Sequence, residues 1–204
     1  EWKDPRPYFQ INHSPAPNRA IRSLPASNRF SPEDREAILR VARDWGRMSE
    51  FAAEARAACG AASNIAIQAG ANAVLGRWSE PGTLQTLWMD WTPLDPAEQP
   101  LDQMLLSRAL VLRIFWDDAD APSVEVPVGD FFCNALHRRQ FASLPLARLT
   151  NGAVCRFPMP FRKSMRIEMK NDSPKPILLG YGLSVGPAPA GPEGRYFHAT
   201  WRSA

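Results

Sequence analysis

Leu110-Val111-Leu112-Arg113-Ile114-Phe115-Trp116, a polar break at Asp117-Asp118-Ala119-Asp120, and then Ser123-Val124-Glu125-Val126-Pro127-Val128-Gly129-Asp130-Phe131-Phe132 form the stretch whose reading decides the fold. In the second run Val124, Val126 and Val128 alternate with Ser123, Glu125 and Pro127, the period-two pattern of a half-buried strand. The first run is densely apolar and the acidic break is a turn, so the block reads strand, turn, strand. Pro127 cannot donate to a ladder, which places it at an edge or a bulge.

Downstream, Phe157-Pro158-Met159-Pro160-Phe161 is a stiff segment that leads into another strand. There Met165, Ile167 and Met169 alternate with Ser164, Arg166, Glu168 and Lys170, giving one apolar and one charged face. Asn171-Asp172-Ser173-Pro174 is a turn, residues 177–185 a strand, and residues 195–201 a final short strand. Upstream, residues 82–91 carry Leu84, Thr86, Trp88 and Asp90 on one face and Leu87, Met89 and Trp91 on the other. Neither face is cleanly polar, which predicts a strand covered on both sides. Residues 92–103 read as a Pro-punctuated polar loop.

Before these strands the pattern is helical. Ser31 is placed to cap, Pro32 fits the first helical position, and Glu33 and Asp34 meet the positive end of the dipole. Ile38, Val41, Trp45, Met48 and Ala52 then follow at three- and four-residue spacing until Gly60, predicting one helix within 31–60. Residues 1–30, rich in Pro, Asn, Arg and Ser, read as an extended arm. About eight short strands with 20 prolines between apolar runs predict a mainly β chain, a sandwich or jelly roll, over residues 61–204.

The 204 residues suffice for one domain with a real core and an appendage. With 24 basic and 21 acidic residues the net charge is only +3, no like-charged block stands out, and no nucleic-acid surface is indicated. No apolar run approaches the roughly 18 residues of a membrane span. Three cysteines, Cys59, Cys133 and Cys155, cannot all pair, which favours buried thiols and a reducing, cytoplasmic setting. No signal-peptide pattern is read at the start, and the opening at Glu1 rather than Met reads as a processed product or a piece of something longer.

The sequence holds no phosphate-cradling glycine loop, no paired-cysteine zinc site and no nucleophile elbow. His13, His137 and His198 lie far apart, so neither a metal nor any other cofactor is expected. Glu125, Asp130 and Glu168 are the acids in or beside the strands, and a carboxyl pair held about 5 to 9 Å apart is what glycoside hydrolysis needs. Cross-strand pairing of Glu125 and Glu168 with Arg113 or Arg166 is the simpler expectation. Asp130 lies beside Phe131 and Phe132 at a strand end, where binding residues concentrate. Trp88, Trp91, Trp116, Phe131, Phe132 and Trp201 are also candidate platforms for a sugar ring, although such residues are more often core. Arg162 and Lys163, if on a strand, point to opposite faces, so one of them would face inward and need a partner or a function.

These residues carry a resemblance. Residues 112–117, 122–132 and 157–168, followed by Tyr196-Phe197-His198-Ala199 and Trp201-Arg202, closely resemble glycoside hydrolase family 172. Pro81-Gly82-Thr83-Leu84-Gln85-Thr86-Leu87-Trp88-Met89 is similar to that family's strand ending in tryptophan and methionine, with Glu80 in place of its usual glycine. The resemblance covers about residues 70–202, and residues 31–60 stand outside it as an insertion. It implies two jelly rolls per subunit, an oligomer, and fructofuranoside or arabinofuranoside chemistry of the retaining type. It also implies that the catalytic glutamates belong to a second jelly roll, whose motifs do not occur in this sequence. The expected catalytic set here is therefore empty. The expected substrate-binding set is Asp130, Phe131, Phe132, Arg162, Lys163, His198 and Trp88, and the expected partners are carbohydrate and a second jelly roll or further copies of the chain. A non-catalytic glycan-binding or assembly module is the alternative.

Overall fold

The computed structural model describes residues 30–60, 63–95, 100–133, 140–150, 152–188 and 195–201. The expected arm over 1–30 lies outside them, save Phe30. The chain divides into two units, residues 1–41 and 42–204.

Helix α1 (Pro32–Gly46) begins in the first unit as its cap residues predict. Ser31 Oγ accepts the Asp34 N–H at 3.1 Å and donates to Asp34 Oδ2 at 2.8 Å. The single helix expected within 31–60 is two. At Arg47 the backbone leaves helical geometry (φ −107°, ψ 16°), and α2 (Met48–Ala58) starts anew. Arg47 reaches Glu50 at 2.6 Å, but both side chains are exposed and such a pair contributes little.

The second unit holds the strands. In chain order they are β1 (Ser63–Ile67), β2 (Asn72–Trp78), β3 (Gly82–Pro93), β4 (Leu110–Trp116), β5 (Val124–Pro127), β6 (Phe141–Ala142), β7 (Leu146–Leu149), β8 (Gly152–Cys155), β9 (Met159–Phe161), β10 (Met165–Asn171), β11 (Ile177–Gly186) and β12 (Ala199–Thr200). One sheet runs β1-β11-β3-β8-β7-β6, with β9 paired to the start of β3; the other runs β12-β5-β4-β10-β2. All pairs are antiparallel except β5 with β12. The chain passes repeatedly between the two sheets, as in a jelly-roll β-sandwich.

Alternation decides what each strand buries. Leu87, Met89 and Trp91 of β3 meet Leu112, Ile114 and Trp116 of β4 and Met165, Ile167 and Met169 of β10 in one core. Each such side chain contributes on the order of 1.5–3 kcal/mol on burial. The other face of β3 turns Trp88 toward Ala55 of α2 and Val154 of β8, so this strand is covered on both sides as its sequence predicts. The polar face of the second sheet is a charge ladder. Arg113 pairs in register with Glu125 on one side and Glu168 on the other. It bonds Glu125 at 2.6 Å, while Arg166 bonds Glu168 at 2.7 Å. Between Ile167 and Glu168 the β10–β2 register shifts, leaving Leu75 as the extra residue of a bulge in β2.

Two helices fall where none was predicted. α3 (Pro100–Ala109) ends directly against β4, and α4 (Val128–Phe131) is a single turn that stops β5 at Pro127. Pro127 thus closes a strand whose far side β12 covers only at Val124 and Glu125, in keeping with its missing donor.

Candidate functional site

The site begins with the acidic turn after β4. Asp117 and Asp118 both take left-handed backbone angles (φ 53° and 62°), which non-glycine residues adopt only when held. What holds them is the segment after β9. Oδ1 of Asp117 accepts the backbone N–H groups of Arg162, Lys163 and Ser164 at 2.9, 2.7 and 3.2 Å. Oδ2 accepts the Tyr196 hydroxyl. Ser164 completes the knot, donating its hydroxyl to Asp118 Oδ1 at 2.6 Å and accepting the Asp118 N–H at 3.0 Å.

Burial pushes the Asp117 carboxyl up, but the Tyr196 hydroxyl and the N–H groups of Lys163, Ser164 and Arg162 together outweigh it and leave it below its usual range. The same bond to Asp117 holds the Tyr196 phenol above its usual value.

Beside this knot opens a cleft of about 470 Å³. Its walls are Arg77 and Trp78 from β2, Phe115 from β4, Asp118 and Asp120 from the turn, and Arg166 from β10. The Arg166 guanidinium lies 3.9 Å from the centre of the Phe115 ring and is tethered to Glu168, which Asn72 also holds at 2.9 Å. The cleft therefore offers the cations Arg77 and Arg166, the latter held by Glu168 and Phe115, the carboxylates Asp118 and Asp120, and aromatic surface at Phe115 and Trp78. An array of donors facing acceptors across aromatic rings suits a polyhydroxylated ring, whose hydroxyls both donate and accept.

The residues nominated from sequence do not converge on one place. Arg162 and Lys163 lie on the cleft's rim loop, but neither faces inward. β9 ends at Phe161, so both sit in a turn rather than on a strand, their side chains are exposed, and their backbone serves Asp117. Arg162 lies 5.6 Å from the centre of the Tyr196 ring. Phe131 and Phe132 are core: Phe132 is fully buried, stacks on Trp91 with centroids 6.1 Å apart, and meets Phe131 edge-on. Trp88 is buried beneath α2, with the Arg56 guanidinium 4.6 Å from its ring centre. His198 is exposed on the segment leading into β12. Asp130 lies on α4, at the opposite end of the β4–β5 pair from the cleft, roughly 20 Å away at the usual rise along β4. Glu125 and Glu168 are bound to arginines, as expected. Among the described residues no group of three or more His, Cys, Asp or Glu side chains is arranged to hold a metal.

A comparison with family profiles matches residues 58–179, described as GH172 domain-like. The chain belongs to the GH172 domain-like family. The match spans more than half of the chain, starting at the last residue of α2 and running into β11. All six cleft-wall residues named above fall within the GH172 domain, whereas Tyr196, which braces the rim, lies beyond the match. Comparison with curated proteins found no match.

Proposed function

We propose that this GH172 domain binds carbohydrate in the cleft between β2, β4 and β10, and serves as the first jelly roll of a retaining furanosidase-type enzyme. The observation that carries the reading is the cleft itself, with Arg77 and Arg166 set against Asp118 and Asp120 around Phe115 and Trp78. In this reading the bond-breaking carboxylates come from a second jelly roll, in the same assembly or on another chain. In this reading residues 31–60 are a helical appendage and 61–204 the binding domain, which functions as an oligomer or with its partner jelly roll.

The strand acids support a division of labour. Glu125 and Glu168 are taken up by Arg113 and Arg166 at 2.6 and 2.7 Å, which leaves them poorly placed to serve as nucleophile and acid. That same feature favours the second reading, a glycan-binding or assembly module without catalysis.

The test is titration calorimetry with arabinofuranosides and fructofuranosides, alongside turnover of aryl furanosides by the chain alone. Binding without turnover is expected, and turnover by this chain alone overturns the division of labour. Absence of binding to any furanoside overturns the cleft assignment. Turnover that appears on adding a second GH172 jelly roll separates the enzymatic reading from the non-catalytic one.

A further inference from the structure

A second cavity, of about 400 Å³, lies between the end of α2 and the sheet that contains β3. It is lined by Ala53, Arg56 and Ala57 of α2, Cys59 just after it, Trp88 of β3 and Leu149 of β7. Ala53, Arg56 and Ala57 precede the residues that match the GH172 domain, whereas Cys59, Trp88 and Leu149 fall within it. The cavity therefore exists only because α2 is laid on the jelly roll. Its floor is fixed: Trp88 is buried, and Gly182 of β11 lets the end of α2 come close, since a methyl group there would stand 2.7 Å from Cys59 Cβ.

Arg56 is the charged wall, and its charge is not taken up. Its guanidinium lies over the Trp88 ring, 4.6 Å from the centre, and makes no hydrogen bond or ion pair among the described residues. The acids nearest in the helix, Glu50 and Glu54, are both bonded to Arg47. The carbonyls at the helix end are occupied as well: Ala55 O accepts the Cys59 thiol, Arg56 O the Cys59 N–H and Ala57 O the Gly60 N–H. A guanidinium lying over an indole keeps its forked N–H edge for a planar acceptor.

The other walls choose among ligands. An inorganic anion pairs with Arg56 but sets its remaining oxygens against Ala53, Ala57 and Leu149, which cannot bond them, and a sugar meets the same loss at several hydroxyls. A neutral apolar molecule fits those walls and gains nothing from Arg56. A carboxylate on an apolar body does both, pairing with the guanidinium fork and covering alanine and leucine surface. We infer that this cavity is a binding site for a small carboxylate of the aryl or short alkyl class. It shares no residue with the cleft and does not rest on the proposed function.

Cys59, half-buried in the cavity wall, reports on the site, and the exposed Cys133 is the control. The chain is alkylated with iodoacetamide in the presence of sodium benzoate, benzyl alcohol or sodium sulfate, and each cysteine is followed by peptide mass spectrometry. The expected result is saturable protection of Cys59 by benzoate alone, with Cys133 unaffected and the half-protecting concentration raised at least tenfold in Arg56→Gln. Circular dichroism checks that the variant is folded. Should Arg56→Gln disturb α2, Ala57→Phe, at an exposed position, fills the cavity instead and should abolish protection. Should Cys59 prove unreactive, calorimetric titration of benzoate into the wild type and Arg56→Gln decides the matter with the same tenfold expectation. Benzyl alcohol or sulfate protecting as well as benzoate overturns the inference. So does a chain that benzoate does not protect or bind, or an Arg56→Gln variant that it protects as well as the wild type.

Discussion

Tyr196 donates its hydroxyl to the same Asp117 carboxylate that collects three consecutive backbone N–H groups from Arg162, Lys163 and Ser164. One side chain therefore ties together the turn after β4, the loop after β9 and the segment before β12. Asp117→Ala leaves those N–H groups without their acceptor and strands two left-handed residues without support. A loss of about 2–3 kcal/mol is expected. At roughly 2–4 °C per kcal/mol for a chain of this size, thermal denaturation should fall by about 4–12 °C.

The same knot has a pH window whose signs are opposite at its two ends. The Asp117 carboxyl is lowered from 3.8, so its contribution is present above that value and is lost as the pH falls through the folded value. The Tyr196 phenol is raised from 10.0, so its contribution is present below that value and is lost as the pH rises through the folded value. Urea midpoints of the wild type and Tyr196→Phe should differ most between these limits and converge above pH 10. A constant difference across that range would show that the phenol proton has no part in the bond.

Arg166 holds its place by stacking on Phe115 and bonding Glu168. Arg166→Lys keeps the charge but loses the flat face and the forked donors. Furanoside affinity measured by calorimetry should fall about tenfold, corresponding to about 1.4 kcal/mol. Asp120→Asn, on the facing wall, should weaken binding less, because an amide oxygen still accepts.

Phe132 was a candidate sugar platform from sequence, and its full burial assigns it to the core instead. Phe132→Ala should cost about 3–5 kcal/mol by cavity formation, lowering the melting temperature by about 6–20 °C. Glycan affinity of the remaining folded protein should be unchanged, which calorimetry well below the melting temperature will check.

Gly152 has φ 131°, and a methyl group there would press on the Trp88 indole and stand 2.8 Å from the Met89 carbonyl oxygen. Backbone cannot move aside cheaply. Gly152→Ala is expected to destabilise by about 2–4 kcal/mol, visible as a lower denaturant midpoint with an unchanged slope.

The strands were legible where one residue type alternated with another. Met165, Ile167 and Met169 point inward as their spacing predicts, and Glu125 and Glu168 find the arginines that sequence placed opposite them. α3 was not legible, because its apolar residues run straight into those of β4 without a breaker, so one period merges into another. α4 replaces the expected strand end because Pro127 cannot carry the ladder on. The cleft could not be read at all. Arg77, Phe115 and Arg166 are separated by dozens of residues, and strand register alone makes them neighbours. Arg162 and Lys163 were misplaced for a related reason: the strand they were assigned to ends one residue earlier, at Phe161.

The bulge at Leu75 carries more than local twist. With it, Arg77 stands opposite Arg166 on the polar side of the sheet, while Val74 stands opposite Glu168. Were Leu75 instead paired regularly opposite Ile167 with the upstream pairing kept, Gly76 would take the place opposite Arg166 and Arg77 would turn toward the core. The chemistry of the cleft wall is thus encoded in a count as much as in a residue type: β2 has one residue more than its partner can pair, and Arg77 faces the cleft because the surplus is absorbed at Leu75.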